Sequence, residues 1–337
     1  MIGYCGTGYN GMQIQNNPDV KTIENDLFKA FVSAGAISQD NSDDLKKNNF
    51  MRAARTDKGV HAAGNVVSCK LIIEDPEVLT KINAELPDQI KVWGIERVNK
   101  SFDCRKMCSS RIYEYLLPTY SLLPPKPKSV LAKLIAKSAE ENPETLREDA
   151  EGEEWWKATR KAILDAGITE EDLAKAQSLI ENQSQNPEKR DQEKPKESFQ
   201  LYDSEGNITE NGRLVRSIKQ VENQRRRAYQ VSPERLELLR EALAKYEGSH
   251  NFHNFTVGKT FKDPSLRRYM KKLTVSDPFV IEGTEWVSIK IHGQSFMLHQ
   301  IRKMIAMAVL VVRTRSPLLR ITDGFGSTRI NIPKAPA

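Results

Sequence analysis

Two stretches with strand and helix periodicity, residues 1–120 and 216–337, are separated by residues 121–215, in which charged and amide side chains dominate. Each flank must therefore supply its own strands and helices, while the middle is expected to interrupt the fold. In the first flank MIGYC reads as a short strand, and the Gly-rich GTGYNGMQ cannot continue it. Thr22 reads as the N-cap of a helix with Ile23, Leu27 and Phe31 on one stripe, ending near Gly35. A strand ending near Arg55 meets the turn TDKGVHAAG, and NVVSCKLII resumes beyond it. Asp75 and Pro76 are expected to open a second helix as N-cap and N1, and IKVWGIERV returns as a strand. In the last flank Ser232 and Pro233 start a helix with Leu236, Leu239, Leu243 and Tyr246, closed by Gly248. Strands through FVIEG and EWVSIKIHG follow, then a long helix from about Phe296. The pattern predicts a mixed α/β fold without internal repeats.

The middle segment is read as an insertion. Leu173, Ala176 and Ile180 have helical spacing, but Asn182 to Ser198 has too little apolar content to pack and is expected to be disordered. Charge sharpens the division. Residues 1–120 carry 15 basic and 15 acidic side chains, residues 121–215 carry 14 and 20, and residues 216–337 carry 22 and 10. The positive excess thus lies in the last third, with clusters at Arg225, Arg226, Arg227 and at Arg267, Arg268, Lys271, Lys272. Such clusters fit either a phosphate-binding surface or an ordinary solvated face. The length allows a core without disulfides, and Cys5, Cys69, Cys104 and Cys108 form no C-x-x-C pair, which fits a reducing, intracellular setting. The longest apolar run, Met304 to Val312, falls far short of the roughly 20 residues of a membrane span, and no secretory leader opens the sequence.

Two polar turns lie where strands end, ARTDKGVHA at 54–62 and SSRIYEY at 109–115. In the first, Arg55 and Asp57 alternate about Thr56, so an extended chain sends both to one side, a carboxylate with a guanidinium beside it. By residue type alone, a salt-bridged turn in which Asp57 caps backbone amides is the favoured reading. Arg302 flanks the stripe of Met297, Ile301, Ile305 and Val309, and on that pattern reads as a surface arginine. Tyr113 alternates with Tyr115 as any strand aromatic would. His250 and His253 stand three apart without a clear third ligand and read as packing or capping residues, so no metal is expected. GTGYNG lacks the GKS/T ending of a phosphate loop, so no nucleotide cofactor is expected.

The first turn resembles the (G/A)RTDxGVHA signature of the TruA-type pseudouridine synthases, and ARTDKGVHA matches it without a gap. GYCGTGYNGMQIQ, FDCRKMCSSRIYEYLLP, YEGSHNFHNFT and GQSFMLHQIRKMIAMAV follow in the family's order. Their wording is most similar to the eukaryotic, and particularly fungal, multisite tRNA enzymes, and the resemblance covers most of the chain outside 125–215. It implies Asp57 as the catalytic aspartate and Arg55 as the arginine that helps displace the target base. Tyr113 matches the tyrosine that stacks on the uracil, Arg302 the arginine that pairs with the aspartate, and Arg105 a basic residue near the RNA. The chemistry agrees: a stem uridine must be unstacked, the flipped base needs an aromatic platform, and a carboxylate beside a guanidinium stays ionised.

The implied fold has two related subdomains, about 1–110 and 111–337 with the insertion at 121–215, whose antiparallel sheets join into one central sheet flanked by helices. Asp57 would then lie in a cleft between them. The implied reaction isomerises uridine in tRNA, in the anticodon stem and loop region, with small nuclear RNA and mRNA as further partners; it needs no cofactor. The nucleus is the expected location, with cytoplasm or mitochondrion as alternatives. Rival readings are an inactive RNA-binding or chaperone-like protein of the same fold and a narrow mitochondrial tRNA enzyme. Met1 falls inside the first strand of the family, and INIPKAPA stops where relatives continue, so a fragment or shortened gene model is expected.

Overall fold

The computed structural model of the chain describes residues 1–17, 19–141, 148–184, 201–203 and 205–336. The fold is mixed α/β, with antiparallel sheets in both of its compact units. The first unit is Met1–Arg111 with the terminal Ala335–Ala337, and the second is Ile112–Lys334. Among the described residues no helix is long and apolar enough to cross a membrane.

In the first unit β1 (Ile2–Tyr4) is buried along its whole length. The Gly-rich segment ends it, and Thr22, whose Oγ1 accepts the Asn25 N–H at 3.4 Å, starts α1 (Ile23–Ser33) as expected. Ile23, Leu27, Phe28 and Phe31 form the buried face of α1. The chain then passes through β2 (Met51–Arg52), β3 (Ala62–Asn65), β4 (Val67–Ser68), α2 (Val78–Glu85) and β5 (Ile90–Val92). The strand order is β3-β1-β5, with β2 and β4 paired separately. The second helix starts later than its Asp75-Pro76 signal. Asp75 instead forms a turn, its Oδ1 accepting from Glu77 N at 2.8 Å and its carbonyl from Val78 N at 3.1 Å. The helix stops at Glu85 because Leu86 precedes Pro87 and is held extended.

The second unit opens with β6 (Arg111–Pro118), whose first residue still belongs to the first unit. Next come α3 (Val130–Glu141), α4 (Ala150–Asp165), α5 (Glu170–Ser184) and α6 (Glu210–Arg227). In its described residues the segment expected to be an insertion with a disordered middle carries α3, α4, α5 and the start of α6, and α5 spans the helical spacing of Leu173, Ala176 and Ile180. The segment's apolar residues are few but concentrated: Ile163, Ala176, Leu179 and Val215 make one small core with Ile218, and Leu123 and Trp155 another with Tyr229. Of the stretch Asn182 to Ser198, residues 185–198 lie outside the described residues. After α6 come α7 (Pro233–Ala244), β7 (Gly248–Asn251), β8 (Arg267–Val275), β9 (Phe279–Ile281), β10 (Thr284–Gly293), α8 (Gln300–Thr314) and α9 (Leu319–Asp323). The sheet order is β6-β10-β8-β7, with β9 paired to β10. Glu282 and Gly283, both at positive φ (49° and 74°), form the two-residue turn of the β9–β10 hairpin.

Three expectations shift here. Gly248 does not close α7, which ends at Ala244, but opens β7. The last helix begins at Gln300 rather than near Phe296, because His299 sits at φ 61° and the Gln300 side chain takes the Met297 N–H at 3.0 Å. Its buried face is Gln300, Met304, Ile305, Ala308, Val311 and Val312 rather than the predicted stripe, since Met297 precedes the helix and Ile301 and Val309 are only half-buried.

A buried ionic knot ties α4 to α7. Arg235 is fully buried, and its guanidinium donates to Asp149 (2.5 Å), Glu151 (3.1 Å) and the Leu122 carbonyl (2.8 Å). Glu151 also accepts from Tyr229 (2.5 Å) and Ser232 (2.6 Å). Burial pushes the Glu151 carboxyl up, but these partners outweigh it and hold it below its ordinary value. Arg235→Ala would strand two carboxylates, so it is expected to cost about 3 kcal/mol of stability, read as a lower urea midpoint. An unchanged midpoint would show the knot to be dispensable.

Candidate functional site

Residues 53–61, which connect β2 to β3, are pinned mainly through backbone atoms. Asn65 Nδ2 donates to the Ala54 carbonyl (3.0 Å), Met12 N to the Thr56 carbonyl (3.2 Å) and Gly59 N to the Tyr9 carbonyl (3.2 Å). Gly6 N reaches His61 Nδ1 at 3.2 Å, and the Asp57 carbonyl accepts from Val60 N at 3.2 Å. The glycines of the opening segment make this approach feasible. A Cβ on Gly6 would lie 2.2 Å from the Val60 carbonyl oxygen, and one on Gly11, which has φ +97°, would lie 2.7 Å from that of Thr56. Thr56 turns its hydroxyl to Tyr4 Oη at 3.0 Å, and burial raises the Tyr4 phenol, so that group stays protonated. Arg55 is exposed and Asp57 half-buried on either side of Thr56.

Beneath the loop lies a charge pair that sequence reasoning missed. Glu24, fully buried in the first turn of α1, accepts from Ile14 N at 2.9 Å and pairs with Arg52 of β2. Burial pushes the Glu24 carboxyl up, while Arg52 and, more weakly, Arg55 favour its charged form. The only signal available was an acidic residue beside the apolar stripe of α1, where N-terminal acids are ordinary. Arg111, also missed, donates to the Ala53 carbonyl through Nη2 (2.5 Å) and Nε (3.2 Å), fixing the residue that enters the loop. Arg105 is exposed in a turn capped by Asp103, whose Oδ1 accepts from Arg105 N (2.9 Å) and Lys106 N (3.1 Å). The nearby Cys69 thiol, mostly buried and close to Cys104, is pushed up to about 12, so it is not a nucleophile.

In the second unit, β6 presents Tyr113 and Tyr115 on its half-buried face. The Tyr113 ring meets Phe296 edge-on, with centroids 5.1 Å apart and planes at 81°. Burial raises the Tyr115 phenol, and the charge of Arg302 partly offsets this, so Arg302 acts on the strand that carries Tyr113. The rotation of α8 is fixed by fully buried Gln300 and by Lys303, whose Nζ donates to the carbonyls of Asn254 (3.2 Å) and Thr256 (3.1 Å). Phe296 and Lys303 carry no signal in sequence that separates them from ordinary core and surface residues. His250 stacks on Phe325 at 4.2 Å, and His253 is buried, both as packing residues. Among the described residues no group of three or more His, Cys, Asp or Glu is placed to hold a metal ion.

The structure thus sets Arg55 and Asp57 on one pinned loop of the first unit, with Arg105 on a separate turn there, and Tyr113 and Arg302 within the second. Comparison with known proteins gives this arrangement its family. The profile of the tRNA pseudouridine synthases matches residues 242–337. The chain is 60% identical over 337 residues to tRNA pseudouridine synthase 1 of Candida albicans, covering 100% of itself and 54% of that protein. It is 43% identical over 375 residues to tRNA pseudouridine synthase 1 of Schizosaccharomyces pombe, covering 70% of it. Identity to the tRNA pseudouridine(27/28) synthase of Saccharomyces cerevisiae is 38% over 338 residues, covering 80% of it. The chain spans a little over half the length of the first of these relatives. It belongs to the tRNA pseudouridine synthase family.

Proposed function

We propose that this protein isomerises uridine to pseudouridine in tRNA, at several positions in the anticodon stem and loop region, with Asp57 as the catalytic carboxylate. The observation that carries the reading is the pinned loop itself. Backbone bonds and two close-approach glycines hold Asp57 in a fixed place with Arg55 exposed beside it, which is more order than a solvated turn needs. In the proposed reaction the bond from C1′ to N1 of the uracil breaks, the base rotates, and a bond from C1′ to C5 forms. The C5 proton leaves and N1, which had carried the ribose, takes up a proton in its place, so atoms balance without oxidant or energy source. Arg55 holds the place vacated by the flipped base, Tyr113 supports the base and moves the proton, and Arg302 belongs to the same reaction; Arg105 contacts the RNA. Chemical tagging of pseudouridines in transcribed tRNA incubated with the protein tests this. RNA binding without any new pseudouridine would favour a non-catalytic protein of the same fold.

The same reading extends to small nuclear RNA and mRNA as further substrates and to the nucleus as the place of action; both rest on the resemblance to multisite enzymes. Tagging in those RNAs, and fractionation of cells, test them. Basic residues outnumber acidic ones 22 to 10 across 216–337, so binding is expected to be mainly electrostatic. Affinity for tRNA should fall about ten-fold or more across a few-fold rise in salt, and a flat response would point to a different partner.

A further inference from the structure

We infer that the outer face of β8 is a second RNA contact, in which Arg267, Lys271 and Lys272 follow the phosphate backbone and Tyr269 stacks on an unpaired base; this rests on the reading of RNA as substrate. The face is defined by pairing. Tyr269 lies opposite exposed Ser249 of β7, whereas its neighbour Arg268 lies opposite His250, which packs on Phe325. Arg267 and Tyr269 therefore point outward together, about 7 Å apart along the strand, a spacing comparable with the phosphate repeat of an extended RNA strand. Simple alternation would then turn Lys272 inward with Arg268 and Met270. Instead the register slips: Met270 pairs with Gly293 but Lys272 with His292, so Lys271 is the extra residue of a bulge. The slip leaves Lys271 and Lys272 exposed side by side, with exposed Lys290 of β10 opposite Thr274 in the same row. Tyr269 is 45% exposed.

An ordinary solvated face explains this row poorly. Lysines on a strand commonly guard a sheet edge, but β8 is an inner strand, bonded to β7 and β10. Exposed cations elsewhere are often paired, as Lys81 is with Asp75 and Arg160 with Glu170. Among the described residues Arg267, Lys271, Lys272 and Lys290 form no ion pair. Adjacent like charges without counter-charges, beside an exposed ring, are complementary to an anionic backbone carrying bases.

The test compares tRNA affinity of the whole protein carrying Lys271→Gln with Lys272→Gln against a control pair, Lys161→Gln with Lys245→Gln, two exposed lysines elsewhere. The β8 pair should bind about ten-fold more weakly and flatten the log affinity against log salt slope by about two, with an unchanged thermal melt. Tyr269→Ala should weaken binding about ten-fold and Tyr269→Phe should restore it. Maximal turnover at saturating tRNA should not change in any of them. A β8 pair no weaker than the control pair, or a Tyr269→Ala protein that binds like wild type, overturns the inference. Because these readouts are affinities, they remain distinct from failure of the functional reading, which would appear as no pseudouridine from the wild-type protein.

Discussion

Asp57→Asn is expected to abolish pseudouridine formation while leaving tRNA affinity within a small factor. The change is nearly isosteric and removes only the charge and nucleophilicity of the carboxylate. The bonds that pin its loop, to the carbonyls of Ala54, Thr56 and Asp57 and from the amides of Gly59 and Val60, involve backbone atoms of the loop and are kept in the variant. Loss of rate without loss of binding is the signature of a group that acts in the transition state. Single-turnover assays on purified protein provide the measurement, and measurable turnover by the Asn variant would remove Asp57 from the chemistry. Lost affinity together with a lowered melting temperature would assign it a structural role instead.

At Tyr113 the ring and the hydroxyl are separable, and Tyr113→Phe alone is expected to slow the reaction about 10²- to 10⁴-fold with binding little changed. The reason is chemical. Once C5 has joined the ribose, its proton must be removed, and a phenol held at the base can relay it. The contact with Phe296 at 5.1 Å depends on the ring and not the hydroxyl, so the Phe variant should keep the ring in place. Tyr113→Leu also loses that platform, adding about 1 to 3 kcal/mol of lost stacking on the base. A mild Phe defect with a severe Leu defect would leave Tyr113 only a supporting role. A fully active Leu variant would exclude it from the site.

Much of the fold was legible because its signals are local. Thr22 caps α1 and Ser232 caps α7 through bonds within three residues, and the apolar stripe of α1 is a matter of spacing along one helix. The loop of Asp57 was legible from its wording, and Tyr113 and Arg302 were assigned through resemblance rather than through spacing. Errors arose where a specific bond, ion pair or backbone conformation overrode what apolar spacing or composition suggested. Apolar spacing carried α8 back to Phe296, but His299 at positive φ and the Gln300 side chain close a turn there first. Within 121–215 the spacing of Leu173, Ala176 and Ile180 announced α5, but the sequence named neither α3 nor α4, which a few apolar side chains and the buried Arg235 pairs help to seat.

By itself, then, the sequence determined the element types of the two flanks, the capped starts of α1 and α7, the uneven charge and the candidate loop of Asp57, because each is written in neighbouring residues. Only the tertiary structure decided what those residues face. Gly6 and Gly11 look like simple turn glycines until the Val60 and Thr56 carbonyls are seen where their Cβ atoms would be. Glu24 looks like a helix-start acid until burial and Arg52 make it a buried ion pair. The cations of 267–272 look like a mere cluster until pairing with β7 and β10, and the slip at Lys271, put Arg267, Lys271 and Lys272 in one outward row. A strand's faces are fixed by its partners, and no periodicity within the strand can register an extra residue whose effect exists only across the ladder.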